Sequence, residues 1–201
     1  MDINRKAFLE KISALGLGIV LTDIAPVFRS DDFYVNQKVG IIVKKPKGWQ
    51  YLTKVELGLL YGGREEEQNV LCGFAYEEGD YVSPLIIISG YEKTFNPDTL
   101  STFARFGLSI HAMPDYAEIL PDYTLLKSES YQLNGFDVRE ERASYTGNLT
   151  ITEPGPALLN TLNFTPNNFS HGIDIYASTP VRSERAFVDA YDYVKANITL
   201  A

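Results

Sequence analysis

The chain has 201 residues, 45% of them hydrophobic and 12% aromatic, with a formal net charge of -8. That composition excludes a permanently solvated chain, and the length suits one domain large enough to bury a core. One cysteine excludes an intrachain disulfide framework and any Cys-rich zinc module, and two histidines argue against a multi-histidine metal centre. With 18 basic against 26 acidic residues, nucleic acid is not an expected partner, since a nucleic-acid binder must offset phosphate with clustered Lys and Arg. The one dense basic run, Lys44, Lys45 and Lys47, reads as a solvated strand end.

Residues 1–30 differ from the rest. Arg5, Lys6 and Lys11 precede an uncharged run from Ile12 to Thr22, the arrangement of a secretory signal. The run is too short to span a bilayer comfortably. Asn4 to Lys11 resembles a twin-arginine export signal with Lys6 in the place of the second arginine. Ser30 is the candidate boundary. No cysteine follows the run, so lipoprotein anchoring is not expected. The alternative is a packed N-terminal helix with Phe8, Ile12, Leu15 and Ile19 on one stripe, which would place the protein in the cytoplasm. The division expected is an export signal over 1–30 and a single domain over 31–201. Peripheral membrane association through the N-terminal segment goes with the signal reading.

The next elements follow from pattern and punctuation. Lys38–Lys45 reads as a strand ended by Pro46 and Gly48, with Trp49 after it. Leu57–Tyr61 and Val70–Tyr76 read as strands joined through Gly62-Gly63. Leu85–Ser89 is apolar throughout and reads as a central strand covered on each side. Asn96-Pro97-Asp98 starts a helix expected over 97–112, ended by Pro114. Asn134-Gly135, between extended runs 125–133 and 136–145, marks a hairpin, because both residues tolerate positive φ. Residues 147–157 read as breaking into loop at Glu153-Pro154-Gly155-Pro156. Leu158–Asn163 and Gly172–Ala177 read as a last strand pair. Ser183 is placed as the cap of a final helix carrying Phe187, Ala190, Tyr191, Val194 and Ile198 on one stripe. Hairpin-joined strands with two long helices give an α+β fold.

Searching for chemistry yields little. The chain has no G-x-G-x-x-G, no phosphate loop, no G-x-S-x-G elbow and no H-E-x-x-H. No catalytic residue, metal site or cofactor is expected. Cys72, inside an apolar run, reads as a small packed hydrophobe. His111 and His171, with Asp115 or Asp174, are the weak metal candidates. Glu140 and Glu141 cannot act as a pair from one strand, because neighbours point to opposite faces. Tyr76, Tyr81, Tyr91, Phe95, Phe103 and Phe106 read as core and core rim.

Pro46, Gly48 and Trp49 after a β-run resemble the opening of PsbP-like domains. That superfamily also holds a Ran-binding nuclear-import factor and several bacterial lipoproteins. The strand Ile86–Tyr91, Leu100 with Phe103, the Leu133-Asn134-Gly135-Phe136 element, and a terminal helix with Phe187 and Val194 extend the similarity over about residues 33–200. The resemblance implies an antiparallel sheet with helices on both faces, an α-β-α sandwich. It gives Pro46, Gly48, Trp49, Asn134 and Gly135 structural roles, the Trp packing under the sheet. It implies non-catalytic work outside the cytoplasm: docking on an unknown protein partner or assisting complex assembly, as plant and cyanobacterial members do for photosystem II. Binding residues are not carried over by it. The expected contact loops are 62–69, 78–83 and 114–122. Two alternatives stand: a small-ligand module with a Tyr-lined groove between helix 97–112 and the sheet, and a hydrolase using Cys72 or His171.

Overall fold

The computed structural model describes residues 27–61, 70–78, 81–92, 120–147, 154–165 and 171–200. The expected export segment up to residue 26 and the expected helix over 97–112 lie outside them. The chain divides into two compact units, residues up to 48 with 189–201, and residues 49–188.

The smaller unit holds a four-stranded antiparallel sheet. Its strands are β1 (Val27–Arg29), β2 (Phe33–Asn36), β3 (Ile41–Lys44) and the last strand of the chain (Ile198–Leu200), in the order β1, β2, β3, last strand. Among the described residues, strand pairing starts at Val27. The β2–β3 connection is set by Asn36, whose Oδ1 accepts the backbone N–H groups of Lys38 (3.0 Å) and Val39 (3.3 Å). Gly40 closes the turn at φ 71°, a conformation that suits a residue without Cβ.

The larger unit holds a seven-stranded antiparallel sheet. Its strands are β4 (Gln50–Tyr51), β5 (Val70–Glu78), β6 (Tyr81–Glu92), β7 (Thr124–Leu133), β8 (Phe136–Gly147), β9 (Gly155–Thr165) and β10 (His171–Pro180). Their order across the sheet is β4-β5-β6-β10-β9-β8-β7. Leu85 to Ile88 of the interior strand β6 are all buried, as their unbroken apolar run requires. The β7–β8 hairpin turns on Asn134 (φ 52°) and Gly135 (φ 84°), the two left-handed residues of a type I′ turn.

Two helices complete the described elements: α1 (Lys54–Tyr61) and α2 (Glu184–Ala196). A short 3-10 turn, Val181–Ser183, leads into α2. Leu57 of α1 joins Leu52, Ala75, Leu85 and Ile87 in a buried cluster on one face of the larger sheet, with Leu60 packed against it. The last strand of the chain is now β11 (Ile198–Leu200).

Several expectations change here. The antiparallel α+β character holds, but the strands form two sheets and not one, and helices on both faces are not part of what the described residues establish. Leu57–Tyr61 is helical, not a strand, so Gly62-Gly63 does not join a hairpin there. The reason is a capping box: Thr53 Oγ1 accepts the Glu56 N–H at 3.2 Å, and Glu56 Oε2 accepts the Thr53 N–H at 2.6 Å. Thr53→Ala is expected to lower stability by about 1 kcal/mol, read from the urea midpoint. Gly155 and Pro156 open β9 instead of lying in a loop. Ile198 leaves the helical stripe: α2 stops at Ala196, where Asn197 donates through Nδ2 to the Tyr193 carbonyl (2.8 Å), and Ile198 pairs with Val43 in the sheet. Tyr76 is no core residue, being 46% exposed. The side chains of Tyr81 and Tyr91, and residues Phe95, Phe103 and Phe106, lie outside the described set.

Candidate functional site

Because strand residues two apart share a face, the register of the larger sheet fixes which side chains stand together. On one face, Ser89, Asp174, Asn163, Arg139 and Ser130 form a row across β6, β10, β9, β8 and β7. The next row is Ile87, Tyr176, Thr161, Glu141 and Ser128. One step further the face turns apolar, with Leu85, Ser178, Leu159, Ala143 and Leu125. Leu120, Ala143, Tyr145, Ala157 and Leu159 form a second buried cluster there, and Tyr176 packs against both clusters. A polar strip thus borders an apolar floor on the same face.

The strip is internally bonded. Asn163, 2% exposed, donates through Nδ2 to the Asp174 carboxylate. Arg139 pairs with Glu141, and Ser128 Oγ donates to Glu141 at 3.1 Å. Thr161, 4% exposed, keeps its hydroxyl buried with no hydrogen-bond partner among the described residues. At the apolar border the Tyr145 and Ser178 hydroxyls bond each other. Burial raises the Tyr145 hydroxyl above its usual value, and the Ser178 bond works against that rise.

Among the described residues, Asp174 is the group displaced far enough to titrate near neutral pH. Burial pushes its carboxyl up to about 7, opposed by the bond from Asn163. Ile173 and Ile175, its chain neighbours, are buried on the opposite face. A carboxyl held between protonated and ionised near neutral pH can exchange a proton or bind a polar group.

Asp137 shares the face of the strip and accepts a bond from Gln132 at 3.1 Å, while Glu140 and Arg142 fall on the far face. Tyr131 donates its hydroxyl proton to Glu140, and Arg142 pairs with Glu184 at the start of α2. Glu140 and Glu141 therefore do face opposite ways. Cys72 is fully buried beside Ile88, away from the strip. His171 stands opposite Glu92 in the backbone register, its side chain outside the described set, as are His111 and Asp115. Among the described residues no cluster of three or more His, Cys, Asp or Glu suits a metal ion. No helix among them is long and apolar enough to cross a membrane.

The five residues singled out as structural fall in two places. Pro46 is buried, Gly48 takes φ 82° in an exposed turn, and Trp49 is 6% exposed with its ring 6.3 Å from that of Tyr76. Asn134 and Gly135 make the exposed β7–β8 turn. Of the three expected contact loops, 62–69 lies outside the described residues, as do residues 79–80 of 78–83 and 114–119 of 114–122, while 120–122 forms a braced turn. There Thr146 donates its N–H to the Pro121 carbonyl (2.8 Å) and its hydroxyl to Asp122 Oδ2 (2.8 Å). The polar strip was not foreseen as a unit. Its one sequence signal is Asp174, an acid between two isoleucines inside a strand.

No family model matches the sequence. No curated protein matches it. Solved structures do. The solution structure of cyanobacterial PsbP (CyanoP) from Synechocystis superposes with a TM-score of 0.53 at 14% identity, covering 92% of this chain and 98% of that one. LpqN of Mycobacterium tuberculosis, described as involved in cell envelope biogenesis, gives 0.51 at 15% identity, covering 80% and 83%. The Ran-binding protein Mog1p of Saccharomyces cerevisiae gives 0.47 at 12% identity, covering 80% and 90%. The chain has the PsbP-like fold.

Proposed function

We propose that the chain is a non-catalytic accessory protein that works outside the cytoplasm by docking on a protein partner. One observation supports this most: charged side chains of the larger sheet are matched within the chain, Arg139 to Glu141, Tyr131 to Glu140 and Arg142 to Glu184. The fold agrees with this reading, since it is shared with PsbP and with an envelope-biogenesis protein. Completed as an α-β-α sandwich, the fold would use residues 97–112 as a helix on the larger sheet. Residues before Val27 serve as the export signal, because a cut at Ser30 would remove β1 from its sheet. The braced 120–122 turn is the contact tip. A photo-crosslinking residue at Pro121, exposed and clear of the core, tests the idea in the native host. The expected result is one discrete adduct on a protein outside the cytoplasm, made by a chain that has lost Met1 and begins close to Val27. A cytosolic chain that retains Met1 and gives no adduct would remove the proposal.

A second reading, a module for a small polar ligand, rests on the buried Thr161 hydroxyl in the row beside Asp174 and Asn163. A ligand raising the melting temperature of the protein but not of Thr161→Val would favour it.

A further inference from the structure

The two edges of the seven-stranded sheet are unlike each other. β4, at one edge, is two residues long, which is how native sheets blunt an edge. β7, at the other, is ten residues long, and no strand lies beyond it among the described residues. Thr124 to Ser130 are exposed on both faces, with Leu125 at 48% and Leu126 at 54%. Such an edge is a template for another strand.

The backbone says which residues would meet it. In a two-residue type I′ hairpin, Leu133 and Phe136 exchange both hydrogen bonds, and inward pairing then alternates along the strand. The register is regular from Lys127 to Leu133, so Lys127, Glu129 and Tyr131 bond inward to β8. Ser128, Ser130 and Gln132 turn their N–H and C=O groups to the open edge.

We infer that β7 is a self-association edge, pairing antiparallel with β7 of a second copy of this chain about a two-fold axis at Ser128. The charges are self-complementary about that point. Lys127 and Glu129 flank Ser128, share a face and already meet within one chain at 2.8 Å. Pairing about Ser128 sets Lys127 of each copy opposite Glu129 of the other, in the closely spaced non-hydrogen-bonded position where cross-strand side chains approach nearest. Ser128 then faces its own copy in a hydrogen-bonded pair, and Leu126 of each copy faces Ser130 of the other. The bulge between Leu125 and Lys127 ends the regular pairing on that side, which keeps the contact short and the association reversible. A lone charge at this edge would repel its own copy; the Lys–Glu couple does the reverse. The contact is isologous, so it closes at two copies.

Sedimentation of the full chain and of three charge variants over a concentration series tests the inference, with two cysteine variants reading the register. The wild-type chain is expected to show a reversible dimer. Lys127→Glu and Glu129→Lys, each placing like charges opposite each other, are expected to weaken it by about tenfold or more. The double swap, Lys127→Glu with Glu129→Lys, is expected to restore it. These side chains are exposed, so circular dichroism should show the fold retained. Register is read by cysteine linkage: paired Cα atoms at Ser128 would stand about 5.5 Å apart, within disulfide range. Ser128→Cys should give a covalent dimer under mild oxidation, and Ser130→Cys, opposite Leu126, should not. The buried Cys72 contributes only background, read from the wild-type chain. A chain that stays monomeric throughout overturns the inference and leaves the edge to some other strand. Linkage as fast through residue 130 as through 128, or a double swap no better than the single ones, overturns it equally.

Discussion

Asp174→Asn is expected to stabilise the protein at pH 8 by about 2–4 kcal/mol and to change little near pH 4. In the folded chain the carboxyl titrates at about 7, and unfolded it titrates near 3.8. Below about pH 4 both states hold the proton. Between about 4 and 7 only the folded state holds it, so unfolding releases a proton and stability falls as pH rises. Above 7 both states have lost it, and the loss is complete. Asparagine has no proton to lose, and its side-chain oxygen still accepts the Nδ2–H of Asn163. Urea unfolding of both proteins across this range gives the difference curve directly, and groups titrating elsewhere cancel from it. A difference that stays flat from pH 4 to 8 would mean that Asp174 is ionised in the folded chain throughout. The strip would then lose its one proton-exchanging group.

How far the sequence could be read depends on how local each signal is. Leu85 to Ile88 and Asn134-Gly135 were legible because the cause lies within a few residues: an unbroken apolar run, and two residues that accept positive φ. The β9 and β10 strands were legible for the same reason, to within three residues at each end. Leu57–Tyr61 misled because its apolar density suits either period, while the deciding feature was the side-chain exchange between Thr53 and Glu56 just before it. Ile198 misled because it continues the spacing of Val194. Its burial comes from pairing with Val43, more than a hundred residues away in the chain, which no local pattern records. The polar strip is of this second kind. Asp174, Asn163 and Arg139 belong to three strands, and only the register makes them one row. The division into two sheets is likewise a matter of which strands pair, as β1, β2 and β11 show.

Trp49→Ala is expected to cost about 3–5 kcal/mol, among the largest losses from any single substitution in the larger unit. The indole is 6% exposed, so truncation removes most of a large apolar side chain from a packed site and leaves a cavity behind. Tyr76 lies against the ring of Trp49, and its own exposure gives it no packed layer to push inward. Trp49→Phe keeps an aromatic ring at the site and is expected to recover more than half of the loss. Since Trp49 is the sole tryptophan, unfolding of the three proteins has to be followed by circular dichroism and not by indole fluorescence. A cost below about 1 kcal/mol for the alanine variant would place the indole on the surface and remove the structural role expected of the Pro46, Gly48 and Trp49 element.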